Sequence, residues 1–148
     1  MTKLWEPAPA RIERANLSRF TASLPAELGL AGADYATLHS WSIEDRDRFW
    51  RAVWDFCGVI AERRGDRASL SAGEMSERRF FPGARLNFAE NLLRRRDERD
   101  AIVFSAEDGQ REVLSSAQLY AEVARVSTAL RDAGVGPGDR VAAMLPNI

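Results

Sequence analysis

The run Val141-Ala142-Ala143-Met144-Leu145 constrains this chain more than any other feature. It is short, bounded by turn residues and apolar on both faces, which predicts a strand buried inside an α/β sheet. Such a strand needs neighbouring strands beside it and helices on its faces. The residues before it fit that order. Ala101-Ile102-Val103-Phe104 and Glu112-Val113-Leu114 read as strands joined by the turn Glu107-Asp108-Gly109-Gln110, a hairpin. Ser115 and Gln118 make a capping box, and Leu119, Val123, Val126, Leu130 and Ala133 mark the buried stripe of a helix about five turns long. Gly134 supplies a left-handed end, with Val135 placed to touch Leu130 in a Schellman motif. A hairpin, one crossover helix and one further strand open an α/β domain without closing it. The natural chain is therefore expected to continue past residue 148, the rest being needed to complete the sheet.

Upstream the periodicity is helical. The first ten residues, with two prolines, read as an extended arm anchored by Trp5. A short amphipathic helix follows, with Asn16 as N-cap, Leu17, Phe20 and Leu24 on one side, and Pro25 and Gly29 limiting it. A second helical stretch begins at Asp34, with Tyr35 and Leu38 on one side. A third is expected to start at Ser42, with Glu44 and Asp45 at its positive end. Along it Phe49, Trp50, Val53, Trp54, Phe56 and Cys57 form a wide apolar face, with Gly58 near the end. Residues 62–79 are rich in charged and small side chains and read as an exposed loop. Phe80-Phe81-Pro82-Gly83 is an aromatic anchor and turn, after which Leu86, Phe88, Ala89, Leu92 and Leu93 resume helical spacing up to Arg94-Arg95-Arg96. The organisation expected is a helical N-terminal section over 1–100 and the incomplete start of an α/β domain over 101–148.

Several function classes are excluded by composition. The 21 basic and 22 acidic residues leave net −1, so no field gathers nucleic acid or an anionic membrane. The longest apolar run is far too short to span a bilayer, and the start lacks a signal-peptide core. One cysteine and one histidine make neither an internal disulfide nor a zinc site, and a cytoplasmic location is expected.

Each group with chemical potential has a plainer explanation. Gly134 to Gly138 invites comparison with a phosphate cradle, but phosphate loops run from strand to helix, and here the helix comes first. His39 has no aspartate at an orienting distance in sequence and reads as a surface or capping residue. Cys57 shares a face with Trp50, Val53 and Trp54 and reads as a packed core thiol. Trp41, Phe49, Trp50, Trp54 and Phe56 follow helical spacing and read as core rather than a ligand cage. Arg94, Arg95 and Arg96 suit a coenzyme phosphate, yet positive charge at a helix end is favourable without one. Glu107 and Asp108 lie in a turn. No residue is assigned a catalytic, cofactor-binding or metal-binding role from these patterns.

Taken together, several segments resemble the N-terminal region of the adenylate-forming acyl-CoA synthetases. Leu4-Trp5-Glu6-Pro7, Arg11 to Leu17, and Trp41-Ser42 through Phe49-Trp50 to Trp54-Asp55-Phe56 resemble its acetoacetate-activating members. Phe80 to Leu93 is similar to a segment that short-chain members share more widely, with Phe80 where tryptophan is expected. Leu114 to Leu119 and Gly134 to Asn147 are similar to a strand-to-helix element and a Gly-Asp-Arg-Val…Leu-Pro-Asn strand of the superfamily. Ser116 stands there for tyrosine and Gln118 for glutamate. The resemblance implies ATP-dependent adenylation of acetoacetate and thiolysis of the acyl-adenylate by CoA, with magnesium accompanying ATP. It also implies that the phosphate loop and catalytic lysine lie beyond residue 148, so this segment binds no cofactor and is inactive alone. Two alternatives remain at this point: an acid such as acetate or propionate, or a free-standing helical module docking through its aromatic face.

Overall fold

Proline at a first helical position forfeits no hydrogen bond, and Pro9 begins α1 (Pro9–Glu13) in the computed structural model, which describes residues 4–71 and 73–145. The arm is thus shorter than expected. Trp5 is largely exposed, with the Arg11 guanidinium 5.8 Å from its ring centroid. In α2 (Asn16–Ser23) the N-cap is Ala15, with no side-chain cap, and Asn16 is already helical. The Ala15 carbonyl accepts from Arg19 N–H at 3.1 Å, setting the start one residue earlier than the asparagine suggested. Gly29 adopts φ 63° after the short 3-10 turn Ala26–Leu28, ending this segment as expected.

Asp34 caps α3 (Tyr35–Glu44), its Oδ1 accepting from Thr37 N–H at 2.8 Å. The next helix does not start at Ser42. Ser42 lies inside α3 and donates to the His39 carbonyl at 2.7 Å, while Asp45 caps α4 (Arg46–Cys57) through Arg48 N–H at 3.2 Å. Aspartate is among the strongest N-caps and sits where α3 ends, so it outcompetes the serine. Phe20, Leu24, Leu30 and Leu38 are buried, with Trp41, Phe49, Val53 and Phe56 packed against them. Edge-to-face ring pairs fix the arrangement: Phe20–Phe56 at 5.3 Å, Phe20–Phe49 at 6.0 Å and Trp41–Phe49 at 5.5 Å.

Residues 62–79 are more ordered than the expected loop. Strands β1 (Ser69–Leu70) and β2 (Arg79–Phe80) pair antiparallel, a 3-10 turn spans Met75–Glu77, and Arg63 bridges to Arg85. Ala68 is fully buried. The aromatic anchor is real: Phe80 meets Trp50 at 5.0 Å and Phe81 meets Trp54 at 4.4 Å. Phe81 holds φ 45°, uncommon for a bulky residue, and donates its N–H to the Ala68 carbonyl at 2.9 Å.

The chain divides into two units, Met1–Asn87 and Phe88–Ile148. In the second, α5 (Phe88–Leu92) is a short helix. Strands β3 (Asp100–Ser105) and β4 (Arg111–Ser115) form the expected hairpin, with Val103 opposite Val113 and Gly109 at φ 87° in its turn. α6 (Ser116–Asp132) begins with the expected capping box: Ser115 Oγ accepts from Gln118 N–H at 3.2 Å and Gln118 Oε1 from Ser115 N–H at 2.8 Å. Ser115→Ala is expected to destabilise this unit by roughly 1 kcal/mol. It should also speed hydrogen exchange at the Gln118 amide; unchanged exchange there would remove the capping box from the account. The Schellman end is complete, with Val135 N–H on the Leu130 carbonyl at 3.0 Å and Gly134 N–H on the Arg131 carbonyl at 2.9 Å.

Two expectations fail in this unit. The stripe of α6 is not buried: Val126 is 49% exposed, Val123 is also exposed, and Leu119 and Leu130 are only half-buried. The buried strand at residues 141–145 is absent as a strand, with Val141, Met144 and Leu145 exposed. The reason is common to both. Strands exist by pairing, and the only ladders among the described residues are the pairs β1–β2 and β3–β4. Among the described residues only the two-stranded hairpin β3–β4 packs on α6, leaving much of its stripe exposed, and no strand pairs with residues 141–145. The helix-then-strand order of an α/β chain nevertheless stands.

Candidate functional site

A phosphate-binding site requires backbone N–H groups converging on open space. Two places in the second unit have suitable backbone, the N-terminus of α6 and the glycine turn after it. At the first, Ser116 N–H donates to the Arg99 carbonyl at 2.9 Å, Ala117 N–H to the Asp97 carbonyl at 3.0 Å, and Gln118 N–H to Ser115. At the second, Gly136 N–H donates to Asp139 Oδ2 at 2.7 Å and Asp139 N–H to the Gly136 carbonyl at 3.1 Å. The Asp139 carboxylate therefore takes an amide that an anion would need. Groups of the chain itself occupy both places, so these residues do not fit the phosphates of ATP.

The remaining flagged residues resolve into structure. His39 is exposed and stacks on Tyr35 at 5.9 Å, one helical turn away on α3. Cys57 is exposed, contrary to the expected packed thiol. It is the last residue of α4, before Gly58 turns left-handed at φ 58°, and lies beyond the cluster around Phe49, Val53 and Phe56. Of the aromatic residues, Trp41, Phe49 and Phe56 are half-buried against the core, whereas Trp50 and Trp54, also half-buried, lie outside that cluster on Phe80 and Phe81. Arg94 Nε donates to the Asn91 carbonyl at 3.0 Å, and the Arg96 guanidinium lies 4.0 Å from the Tyr120 ring centroid. Asp108 Oδ1 accepts from Gln110 N–H at 3.0 Å, closing the hairpin turn. Among the described residues no group of three histidine, cysteine or acidic side chains could hold a metal ion, and no helix is long and apolar enough to cross a membrane.

Residues that periodicity missed link α4 to the small ladder. Ser69 donates to Asp47 Oδ1 at 2.7 Å, Arg51 donates to the Asp66 carbonyl, and Arg64 pairs with Asp55 at 2.8 Å. The Ser69 hydrogen bond holds the Asp47 carboxyl below the ordinary carboxylate range, against an opposing effect of burial. An aspartate lowered in the folded state contributes stability above its unfolded value, near pH 4, and loses it as pH falls through the folded pKa. Ser69→Ala is thus expected to raise the Asp47 pKa in an NMR titration and to weaken the unit at neutral pH. Variant and wild type should converge in acid; a constant offset at every pH would contradict this. A groove of about 660 Å³ between α2 and α4 is rimmed by Arg48, Arg51 and Asp55, whose charges already have partners in Asp45, the Asp66 carbonyl and Arg64.

The family model described as "Acetyl-coenzyme A synthetase N-terminus" matches residues 35–92, and the one described as "AMP-binding enzyme" matches residues 88–148. Both matches are to models of the adenylate-forming superfamily of AMP-binding enzymes, each over about two fifths of the chain. The chain corresponds along nearly its whole length to the N-terminal region of acetoacetyl-CoA synthetases. It is 45% identical over 145 residues to the acetoacetyl-coenzyme A synthetase of Rhizobium meliloti, covering 98% of this chain and 22% of that protein. It is 36% identical over 135 residues to a malonamoyl-CoA synthetase of Penicillium aethiopicum, covering 86% of this chain and 19% of that one. The solved structure of the Streptomyces lividans acetoacetyl-CoA synthetase superposes with a TM-score of 0.81 at 38% identity, covering all of this chain and 23% of that one. The chain thus spans about a fifth of the length of these relatives.

Proposed function

We propose that this chain forms the N-terminal part of an ATP-dependent acetoacetate–CoA ligase, converting acetoacetate, ATP and CoA to acetoacetyl-CoA, AMP and diphosphate. The observation that carries the reading is the end-to-end similarity to acetoacetyl-CoA synthetases in both sequence and structure. Magnesium would accompany ATP, and the enzyme would work in the cytoplasm, in ketone-body and lipid metabolism. Residues 1–100 would serve as the helical N-terminal section and residues 101–148 as the opening of the AMP-binding domain. The exposed stripe of α6 and the unpaired segment 141–145 support a need for the rest of the enzyme, whose sheet would cover the first and pair with the second.

The similarity to a protein named for malonamoyl-CoA makes the acid the point to test. Pyrophosphate release by the full-length enzyme is expected to be fastest with acetoacetate when compared with acetate, propionate and malonamate. A preference for one of the others would overturn the acid, and release with none of them would overturn the ligase reading. The 148-residue chain alone is expected to form no acyl-CoA.

A further inference from the structure

We draw no further inference here: the strongest candidate, the groove between α4 and β2 that Arg46 and Arg78 flank over Phe49, Trp50 and Phe80, carries nothing because nothing in the structure shows what covers it.

Discussion

Phe20→Ala is expected to lower the stability of the unit Met1–Asn87 by about 3 kcal/mol, the low end of the range for deleting a buried aromatic ring. The core of that unit is small. Four side chains are buried there as a cluster, Phe20, Leu24, Leu30 and Leu38, and Phe20 is the one whose ring meets both Phe49 and Phe56 of α4. Its removal deletes the main contact between α2 and α4. The low end applies because Phe20 also borders an open groove of about 400 Å³ with Leu17, Leu38 and Val53, so the space left behind fills with water rather than staying empty. A unit of this size is worth about 4–13 kcal/mol in total, so the loss is a large share. Measurement is straightforward because Trp5, Trp41, Trp50 and Trp54 are the chain's four tryptophans and all lie in this unit. Tryptophan fluorescence in a denaturant titration should show the midpoint fall steeply for Phe20→Ala and by less than half as much for Phe20→Leu. An unchanged midpoint would mean that the aromatic cluster does not hold α2.

What was legible in the sequence was what short-range hydrogen bonding decides. The start of α6 was readable because Ser115 and Gln118 satisfy each other across three residues, and its end because Gly134 and Val135 return to Arg131 and Leu130. The hairpin was readable for the same reason, its turn closing within residues 106–110. Competition between neighbouring signals was not readable. Ser42 and Asp45 both suit a helix start, and only the extent of α3 decides that Asp45 caps while Ser42 bonds inside a helix. Two-residue strands have no period to detect, so β1 and β2 were hidden in a stretch whose composition indicated a loop. Their register depends instead on Phe80 and Phe81 reaching Trp50 and Trp54 from thirty residues away or nearly so.

Residues 141–145 sit at the other extreme. Their sequence states what environment they suit, apolar on both faces, and the structure leaves them exposed because that environment is made of other strands. Sequence pattern reports a preference; a ladder also requires a partner. At the glycine turn, the helix-then-strand order was legible as evidence against a phosphate loop, but the partners of its amides were not. The amides that look available at Gly134 to Asp139 and at the head of α6 are consumed by local acceptors, and only coordinates reveal that Asp139 turns its carboxylate back onto Gly136. Charge alone would have left the arginines at 94–96 as open phosphate ligands, whereas Arg94 caps a carbonyl and Arg96 lies on Tyr120.

Gly65→Ala is expected to destabilise the first unit by more than 2 kcal/mol, and comparison with Gly134→Ala separates the two causes. Both glycines have positive φ, 82° and 87°, where an L side chain costs about 1–2 kcal/mol. A methyl group at Gly134 would meet nothing within 4 Å, so that variant should lose only the backbone contribution. At Gly65 the same methyl group would lie 3.0 Å from both the carbonyl carbon and Cα of Gly83, tighter than nine in ten such contacts, so that the neighbour must give by a few tenths of an ångström. Gly83 cannot retreat freely, since its carbonyl accepts from Arg63 Nε at 3.0 Å and the flanking turn is tied by Ala84 N–H to Phe81 O at 2.8 Å. Relief would have to come from moving residues 81–85. Movement there pulls Phe81 off Trp54 and breaks the bridge between Arg63 and Arg85, so the steric clash is passed to the aromatic anchor. Tryptophan fluorescence should therefore change in the native state of Gly65→Ala as well as at its midpoint, through Trp54. Gly134→Ala, in the unit without tryptophan, should leave that signal untouched. Equal losses in the two variants would show that backbone conformation alone fixes glycine at 65 and that the close approach to Gly83 relaxes at no cost.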